Sequence, residues 1–406
     1  MTRTQLTVSL AGVALLALFI APVLRPHLAP AEPATPPVSE PVVVVAAPVE
    51  APPPPAEPVE PARVELVFVL DTTGSMGGLI QGAKDTVWEV VNDFKSQKPT
   101  PDVRVGLVAY RDRGDTYVTQ VHELTDDLDA IYGALVAMRA DGGGDSPESV
   151  AKGLLDAVNL QPWTPRGEDR TYRSVFVVGD APDKHYADEP SPAQIVADAR
   201  QRDIYVSAIQ CGSNHGTDLE FQALAKAGGG TFAAVAQDGA VARIETPLDD
   251  DLDRLEGELS ATALPWGSTS EKTETQTKIA IIRGSGSSTK ASRLSAMAKG
   301  AGKKVVTSAG KGDLLDDLKE GDVDLAGVPV SDLPTALAAL DPAAREREVN
   351  RRIAQRAGIQ AAIDTVVAER DAWLTEERAK RTLDLSFDGE VVGSSIEKLK
   401  SLGYVE

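Results

Sequence analysis

A run of strand length, Val64-Glu-Leu-Val-Phe-Val-Leu70, ends abruptly in Asp71-Thr-Thr-Gly-Ser-Met76. A continuous apolar, β-branched run bounded by turn residues is the signature of a strand buried on both faces, as in a parallel sheet. Open α/β sheets place their ligands just past the carboxyl ends of such strands, which is where Asp71, Thr73 and Ser75 fall. One carboxylate and two hydroxyls at alternating positions suit a single hard cation, because Mg²⁺ and Ca²⁺ take oxygen ligands.

Strand and helix patterns alternate from Val64 to about Ala261. Strands are expected at 64–70, 103–110, 116–121, 173–179, 203–210 and 230–235, with helices at about 78–95, 126–139, 147–159, 192–202, 218–227 and 249–260. Ser146-Pro147 and Ser191-Pro192 each offer a capping hydroxyl followed by proline at the first helical position. Thr217-Asp-Leu-Glu220 fits a capping box, and Thr125 precedes two acids that suit a helix N-terminus. Strands 103–110 and 116–121 are too close for a helical crossover and are expected to form an antiparallel hairpin. The fold class is therefore α/β, a doubly wound, mostly parallel sheet with one antiparallel edge strand, followed by a helical C-terminal region.

Two further acidic loops belong to this domain. Asp141-Gly-Gly-Gly-Asp145-Ser-Pro-Glu148 precedes a helix, and Val175-Phe-Val-Val-Gly-Asp180-Ala-Pro-Asp183-Lys-His185 leaves a strand as Asp71 does. If those strands are neighbours, Asp71, Asp145 and Asp180 converge at the carboxyl edge of the sheet.

The spacing Asp71-x-Thr73-x-Ser75 after a first strand resembles the DxSxS signature of von Willebrand factor A (vWA) domains, and Asp180 matches that family's distal aspartate. The resemblance covers residues 63–261. It implies a metal-ion-dependent adhesion site (MIDAS) holding Mg²⁺, with Mn²⁺ or Ca²⁺ as alternatives, on Asp71, Thr73, Ser75 and Asp180. The Gly-Gly-Gly-Asp-x-Pro-Glu loop and Asp180-Ala-Pro are similar to those of hemicentin-like and bacterial vWA proteins. Adhesion-type members carry a metal-binding threonine where this chain has Asp145-Ser146-Pro147, so Asp145 joins the ligand candidates. In the family a partner protein's Glu or Asp completes the coordination shell. Asp145 as a direct ligand would add a third negative charge and weaken that pull.

The flanking segments set the context. Residues 6–24 carry no charge and approach the ~18–20 apolar residues that span a bilayer. Residues 1–24 are expected to be an uncleaved membrane anchor, with a signal peptide cleaved near Ala31 as the alternative. Twelve of the 27 prolines lie between Pro30 and Pro61, so 25–62 is a proline-rich spacer. Residues 262–340 read as a mixed, low-order connector and 341–406 as a helical region opened by Asp341-Pro342. There Val349, Ile353, Ile363, Val367 and Leu374 fall near heptad spacing, but Arg356, Gln360 and Arg370 interrupt it, favouring a helix packed on the body over a coiled coil.

Composition removes several function classes. Acidic residues outnumber basic ones 61 to 41, a formal charge of −20 that disfavours nucleic acid. Cys211 is the only cysteine, so no internal disulfide and no cysteine-based metal site exist, and it reads as a small buried hydrophobe. Arg113-Gly-Asp115 spells an integrin-recognition tripeptide but suits a hairpin turn. Ser146, His185 and Asp180 lack a nucleophile elbow, so no catalytic residue is expected; His185 and His215 read as loop residues, and Met76 as packing under the metal loop. The resulting expectation is a membrane-tethered, exported, non-enzymatic module binding a protein partner through a divalent cation. The alternatives are an envelope scaffold assembled by its helical tail and, further off, a metal-assisted hydrolase.

Overall fold

The computed structural model describes residues 61–144, 146–167, 170–235, 246–299, 312–380 and 393–405, so the N-terminal run, the proline-rich spacer and Asp145 lie outside the described residues. Strand β1 (Arg63–Asp71) is buried at every position but its first. Its even residues Val64, Leu66, Phe68 and Leu70 enter one core, and Val67 and Val69 enter the other. That alternation lets a continuous apolar run serve two helical layers. β1 pairs in parallel with β2 (Asp102–Tyr110) on one side and β4 (Thr171–Gly179) on the other. β3 (Thr119–Thr125) adds antiparallel to β2, while β5 (Ile204–Cys211) and β6 (Gly229–Val235) continue the parallel side, giving the order β3-β2-β1-β4-β5-β6.

The chain leaves β1 toward β2 and returns to its opposite side at β4, so the strand order reverses between β1 and β4. Loops leaving these two neighbours diverge to opposite faces and open a crevice, which is the ligand position of doubly wound sheets. Helices α1 (Ile80–Lys95) and α2 (Leu128–Ala137) cover the first core, and α3 (Val150–Asn159), α4 (Pro192–Gln201) and α5 (His215–Gly228) the second.

Three local expectations fail for identifiable reasons. The hairpin's second strand begins at Thr119 instead of 116, because Asp115 is held in the turn by the amides of Asp112 and Gly143. Ser146-Pro147 does not open α3; the helix starts at Val150 after Ser149, whose hydroxyl donates to Asp112 instead of capping. Thr217 is not the cap of α5 either: Asn214 accepts from the amides of Gly216 and Thr217, and the helix begins at His215. Ser191, by contrast, caps α4 ahead of Pro192 as expected, and forms a capping box with Gln194 as well.

The stretch expected to be low-order is helical where it is described. After α6 (Asp249–Ala261) come α7 (Thr269–Arg283), α8 (Ser287–Ala298), α9 (Leu314–Glu320) and α10 (Thr335–Ala338), then the 39-residue α11 (Pro342–Lys380) and α12 (Gly393–Ser401). The described residues from 61 onward form one compact unit. α11 packs its Ile359, Ile363 and Val367 on Leu252, Leu255 and Leu259 of α6 and Leu294 of α8, as a helix on the body and not as a coiled coil. Asp341 caps it by accepting from the amide of Ala344.

α8 is buried from Ser288 to Met297 although six of those ten residues are polar. Its Arg293 donates to Asp129 of α2 at 2.9 Å and to Glu256 of α6 at 2.8 Å, and lies over the Tyr132 ring. These contacts fasten the helical region to the sheet domain.

Candidate metal centre

Asp71 closes β1 with its side chain fully buried. Its Oδ1 accepts from the amide of Thr73 at 2.8 Å and from Thr73 Oγ1 at 2.7 Å. Thr73 Oγ1 lies 3.1 Å from Ser75 Oγ, which donates to Asp180 Oδ1 at 2.9 Å. The two carboxylates at the switch point are thus joined by a line of hydroxyls. The short 3₁₀ turn Gly74–Gly78 turns the chain into α1, and Met76 is buried beneath it as expected.

The other carboxylate oxygen, Asp71 Oδ2, is buried with no hydrogen-bond partner among the described residues, and so is the Tyr110 hydroxyl at the end of β2. A Cβ on Gly179 would collide with the Tyr110 hydroxyl and lie 3.2 Å from Asp71 Oδ2, so the last residue of β4 has to be glycine for both groups to sit here. Burial is the main force on these groups. It lifts the Asp71 carboxyl to about 7 against the Thr73 hydrogen bonds that lower it, with the charge of Asp180 adding to the rise. Burial also raises Asp180. The Tyr110 phenol is pushed well above its usual range by burial, then by the charges of Asp71, Asp180 and Glu148. Among the described residues no Lys, Arg or His counters the charge on Asp71 or Asp180.

A buried carboxylate with an orphaned oxygen, hydroxyls at alternating positions and a second carboxylate fit a divalent cation. Asp71, Thr73, Ser75 and Asp180 are brought together as the sequence suggested. Glu148 is the residue the sequence reading missed. It is 2% exposed, and its Oε1 lies 3.1 Å from where a Cβ of Gly143 would stand, a position itself 3.0 Å from Thr73 Cβ. Gly143 has φ +69, and only glycine lets the loop pass between Thr73 and Glu148. The available signal was an acid placed directly ahead of a buried helix and behind a glycine-rich turn. Asp145 lies outside the described residues.

Glu148 is fixed by the neighbouring loop. Its amide donates to the Pro182 carbonyl at 3.0 Å and its carbonyl accepts from the amide of Lys184 at 2.8 Å. Thr217 of α5 donates from Oγ1 to the Asp180 carbonyl at 2.9 Å, so the loop carrying Asp180 is held from both sides.

The remaining candidates have other partners in the fold. In Arg113-Gly-Asp115 the arginine pairs with Asp188 and Glu189 and covers the Tyr186 ring, while Asp115 accepts from two backbone amides, so the tripeptide is a braced turn. His185 turns its ring to Asp183 and Glu220, away from any triad with Ser146. Cys211 is buried; desolvation first, then Asp71 and Asp180, push its thiol to about 12. Beside Asp180 a cavity of about 550 Å³ opens to solvent, lined by Ser75, Leu79, Ser146, Cys211, Ser213 and Asn214 among others.

Residues 65–241 match the family profile described as von Willebrand factor A domain. A curated relative, an ariadne-like RING finger protein of Acanthamoeba polyphaga mimivirus, is 30% identical over 100 residues, 24% of this chain. The chain spans about a tenth of that relative's length. Proximal thread matrix protein 1 from the mussel byssus, solved with a zinc-occupied MIDAS motif, is similar at TM-score 0.34 and 19% identity over 44% of this chain and 42% of that one. The SpRpn10 vWA domain gives 0.34 and 14% over 45% and 95%. BatB from Bacteroides thetaiotaomicron gives 0.33 and 16% over 43% and 90%. The family profile and the six-stranded sheet, with its acidic loops at the switch point, agree on one assignment: residues 65–241 of this chain are a von Willebrand factor A domain.

Proposed function

We propose that this protein is a non-enzymatic binding module that takes a protein partner through a divalent cation. One observation carries it: Asp71 is fully buried, its Oδ2 has no partner among the described residues, and no basic side chain offsets it or Asp180. A buried carboxylate of this kind is costly unless a cation pairs with it. Asp71, Thr73, Ser75 and Asp180 would hold the cation, with Mg²⁺ the first choice for an all-oxygen set and Mn²⁺ or Ca²⁺ as alternatives. When bound, it supplies an electrophilic contact for a partner's oxygen at the mouth of the cavity beside Asp180.

The charge balance shapes that contact. Asp71 and Asp180 balance a divalent ion, and Asp145, outside the described residues, would as a direct ligand add a third negative charge that holds the cation more firmly and weakens the pull on an acidic partner side chain. Among the described residues the site offers carboxylates and hydroxyls with no Lys, Arg or His beside Asp71 or Asp180, and Cys211 is buried, which favours binding over hydrolysis. We assign residues 1–24 as the anchor to a bacterial envelope membrane, with the body in the periplasm or outside. No helix among the described residues is long and apolar enough to cross a membrane, and residues 1–24 lie outside them.

Capture from envelope extracts tests the function. A partner retained by wild type in Mg²⁺, and lost both in EDTA and with folded Asp71→Asn, is the expected result. A partner retained under all three conditions would favour a scaffold acting through its helices. Turnover of a phosphoester or peptide substrate would favour an enzyme.

A further inference from the structure

A second group of ligand-type side chains sits farther along the loop that carries Asp180. Asp183, His185 and Glu220 each offer an atom, all within 4.8 Å of one another. They come from two elements: Asp183 and His185 from the loop after β4, and Glu220 from the second turn of α5. Their arrangement is ordered by the fold. Asp183 is 3% exposed; its Oδ1 accepts from the amide of Ala151 at the start of α3 at 2.6 Å, and its amide meets the Glu220 carboxylate at 3.2 Å. His185 sits at φ +54, with its own amide donating to Asp183 Oδ2 at 2.8 Å, so the ring is anchored from its backbone.

The imidazole is oriented by a carboxylate on one side and faces another on the other. Nδ1 lies 2.9 Å from Asp183 Oδ2, and Nε2 lies 3.8 Å from Glu220 Oε2. A carboxylate at Nδ1 fixes the ring proton there and leaves the Nε2 lone pair available, the arrangement that serves metal-bound histidines. The Glu220 carboxylate oxygen Oε2 then stands 3.8 Å from Nε2, beyond hydrogen-bond distance. Two acceptors facing each other call for a cation between them. With Zn–N and Zn–O bonds of about 2.0–2.2 Å, tetrahedral ligand atoms stand roughly 3.3–3.5 Å apart, so closure by a few tenths of an ångström makes Nε2 and Oε2 ligands of one ion.

We propose that His185 and Glu220, oriented by Asp183, form a second cation site selective for imidazole-binding transition metals such as Zn²⁺. It differs in kind from the all-oxygen centre at Asp71, because an imidazole selects Zn²⁺, Co²⁺ or Ni²⁺ over Mg²⁺. The ring is 63% exposed on its side chain and Glu220 18%, so solvent fills the remaining positions and the ion exchanges freely. The two sites share a brace: α5 holds the Asp180 carbonyl through Thr217 and the Asp183 amide through Glu220, one turn apart. A cation on His185 and Glu220 therefore clamps the loop on which Asp180 stands.

The test uses the full chain stripped of metal, with Asp71→Asn as the parent so that the first centre does not bind. Co²⁺ and Zn²⁺ are titrated by calorimetry and by the visible absorption of Co²⁺. The expected result is one equivalent bound by the parent, with Mg²⁺ in excess failing to displace it. His185→Ala should weaken it at least tenfold and remove the absorption band, and Glu220→Gln should weaken it without loss of fold. Absence of an equivalent in the parent, or equal affinity in His185→Ala, would overturn the proposal and leave the cluster as an imidazolium held between two carboxylates. Neither outcome depends on Mg²⁺ binding at Asp71 in the wild type.

Discussion

Two carboxylate pairs among the described residues differ in where the positive charge comes from. Under the helical region, Asp129 and Glu256 are brought together around Arg293, which is 1% exposed and donates to both. At the sheet switch point, Asp71 and Asp180 are brought together around hydroxyls, with no basic side chain among the described residues to offset them. Desolvation raises both Asp129, to about 6, and Asp71, to about 7. The lesson is that the chain completes the first cluster from its own sequence, whereas the second has no internal cation among the described residues. The first is a fastening; the second is a candidate metal site.

Removing the internal cation should have the largest effect. Arg293→Met removes the buried guanidinium that both Asp129 and Glu256 accept from, so unfolding free energy in urea should fall by about 3–5 kcal/mol. Added Mg²⁺ should not restore it. A loss below about 1 kcal/mol would mean the cluster does not fasten the two regions.

The second prediction concerns pH. The Asp71 carboxyl is raised in the metal-free fold, so the folded state keeps its proton while the unfolded chain loses it. Stability then falls as pH rises from about 4 to about 7, by up to about 4 kcal/mol from this group alone. With saturating Mg²⁺ the fall should vanish, because the cation favours the ionised carboxylate. Melting temperatures across that pH range, with and without Mg²⁺, check the sign. A metal-free protein that gains stability over the same window would show that Asp71 is not buried as described.

Smaller changes probe the packing of the site. Gly179→Ala places a methyl against the Tyr110 hydroxyl and Asp71, costing about 1–3 kcal/mol and weakening cation affinity in calorimetry. Tyr110→Phe removes a hydroxyl that has no partner among the described residues, so metal-free stability should change by less than about 1 kcal/mol. A larger loss would reveal a partner for that hydroxyl.

The same contrast explains what could be read in the sequence. β1, β4 and β5 are buried runs whose apolar continuity is their signal, and Asp71 and Asp180 are legible because each ends such a run. The 39-residue α11 announces itself through Asp341-Pro342 and the interrupted apolar spacing, and Leu399 and Val405 of the C-terminal tail are buried. α8 was illegible because its polar residues are satisfied by partners far away in sequence. Thr289 donates to Asp85, and Arg293 reaches Asp129 and Glu256, so a helix buried on all sides looks like a polar connector. Glu148 escaped for a related reason: its burial behind the Gly143 turn, which also packs close to Thr73, is a tertiary arrangement. Thr217 and Ser149 look like caps in isolation, yet each hydroxyl is claimed by a distant group, the Asp180 carbonyl and Asp112.

The central claim, that the cluster at Asp71 is completed by a cation from solution, is tested most directly by titrating metal-stripped protein with Mg²⁺ at pH 7.5 while following its melting temperature. The predicted result is saturable stabilisation, about 2.7 kcal/mol at a Mg²⁺ concentration 100 times the dissociation constant. Asp71→Asn should show no such gain while starting at least as stable as the metal-free wild type. Equal melting of wild type with and without Mg²⁺, Mn²⁺ or Ca²⁺ would contradict the account.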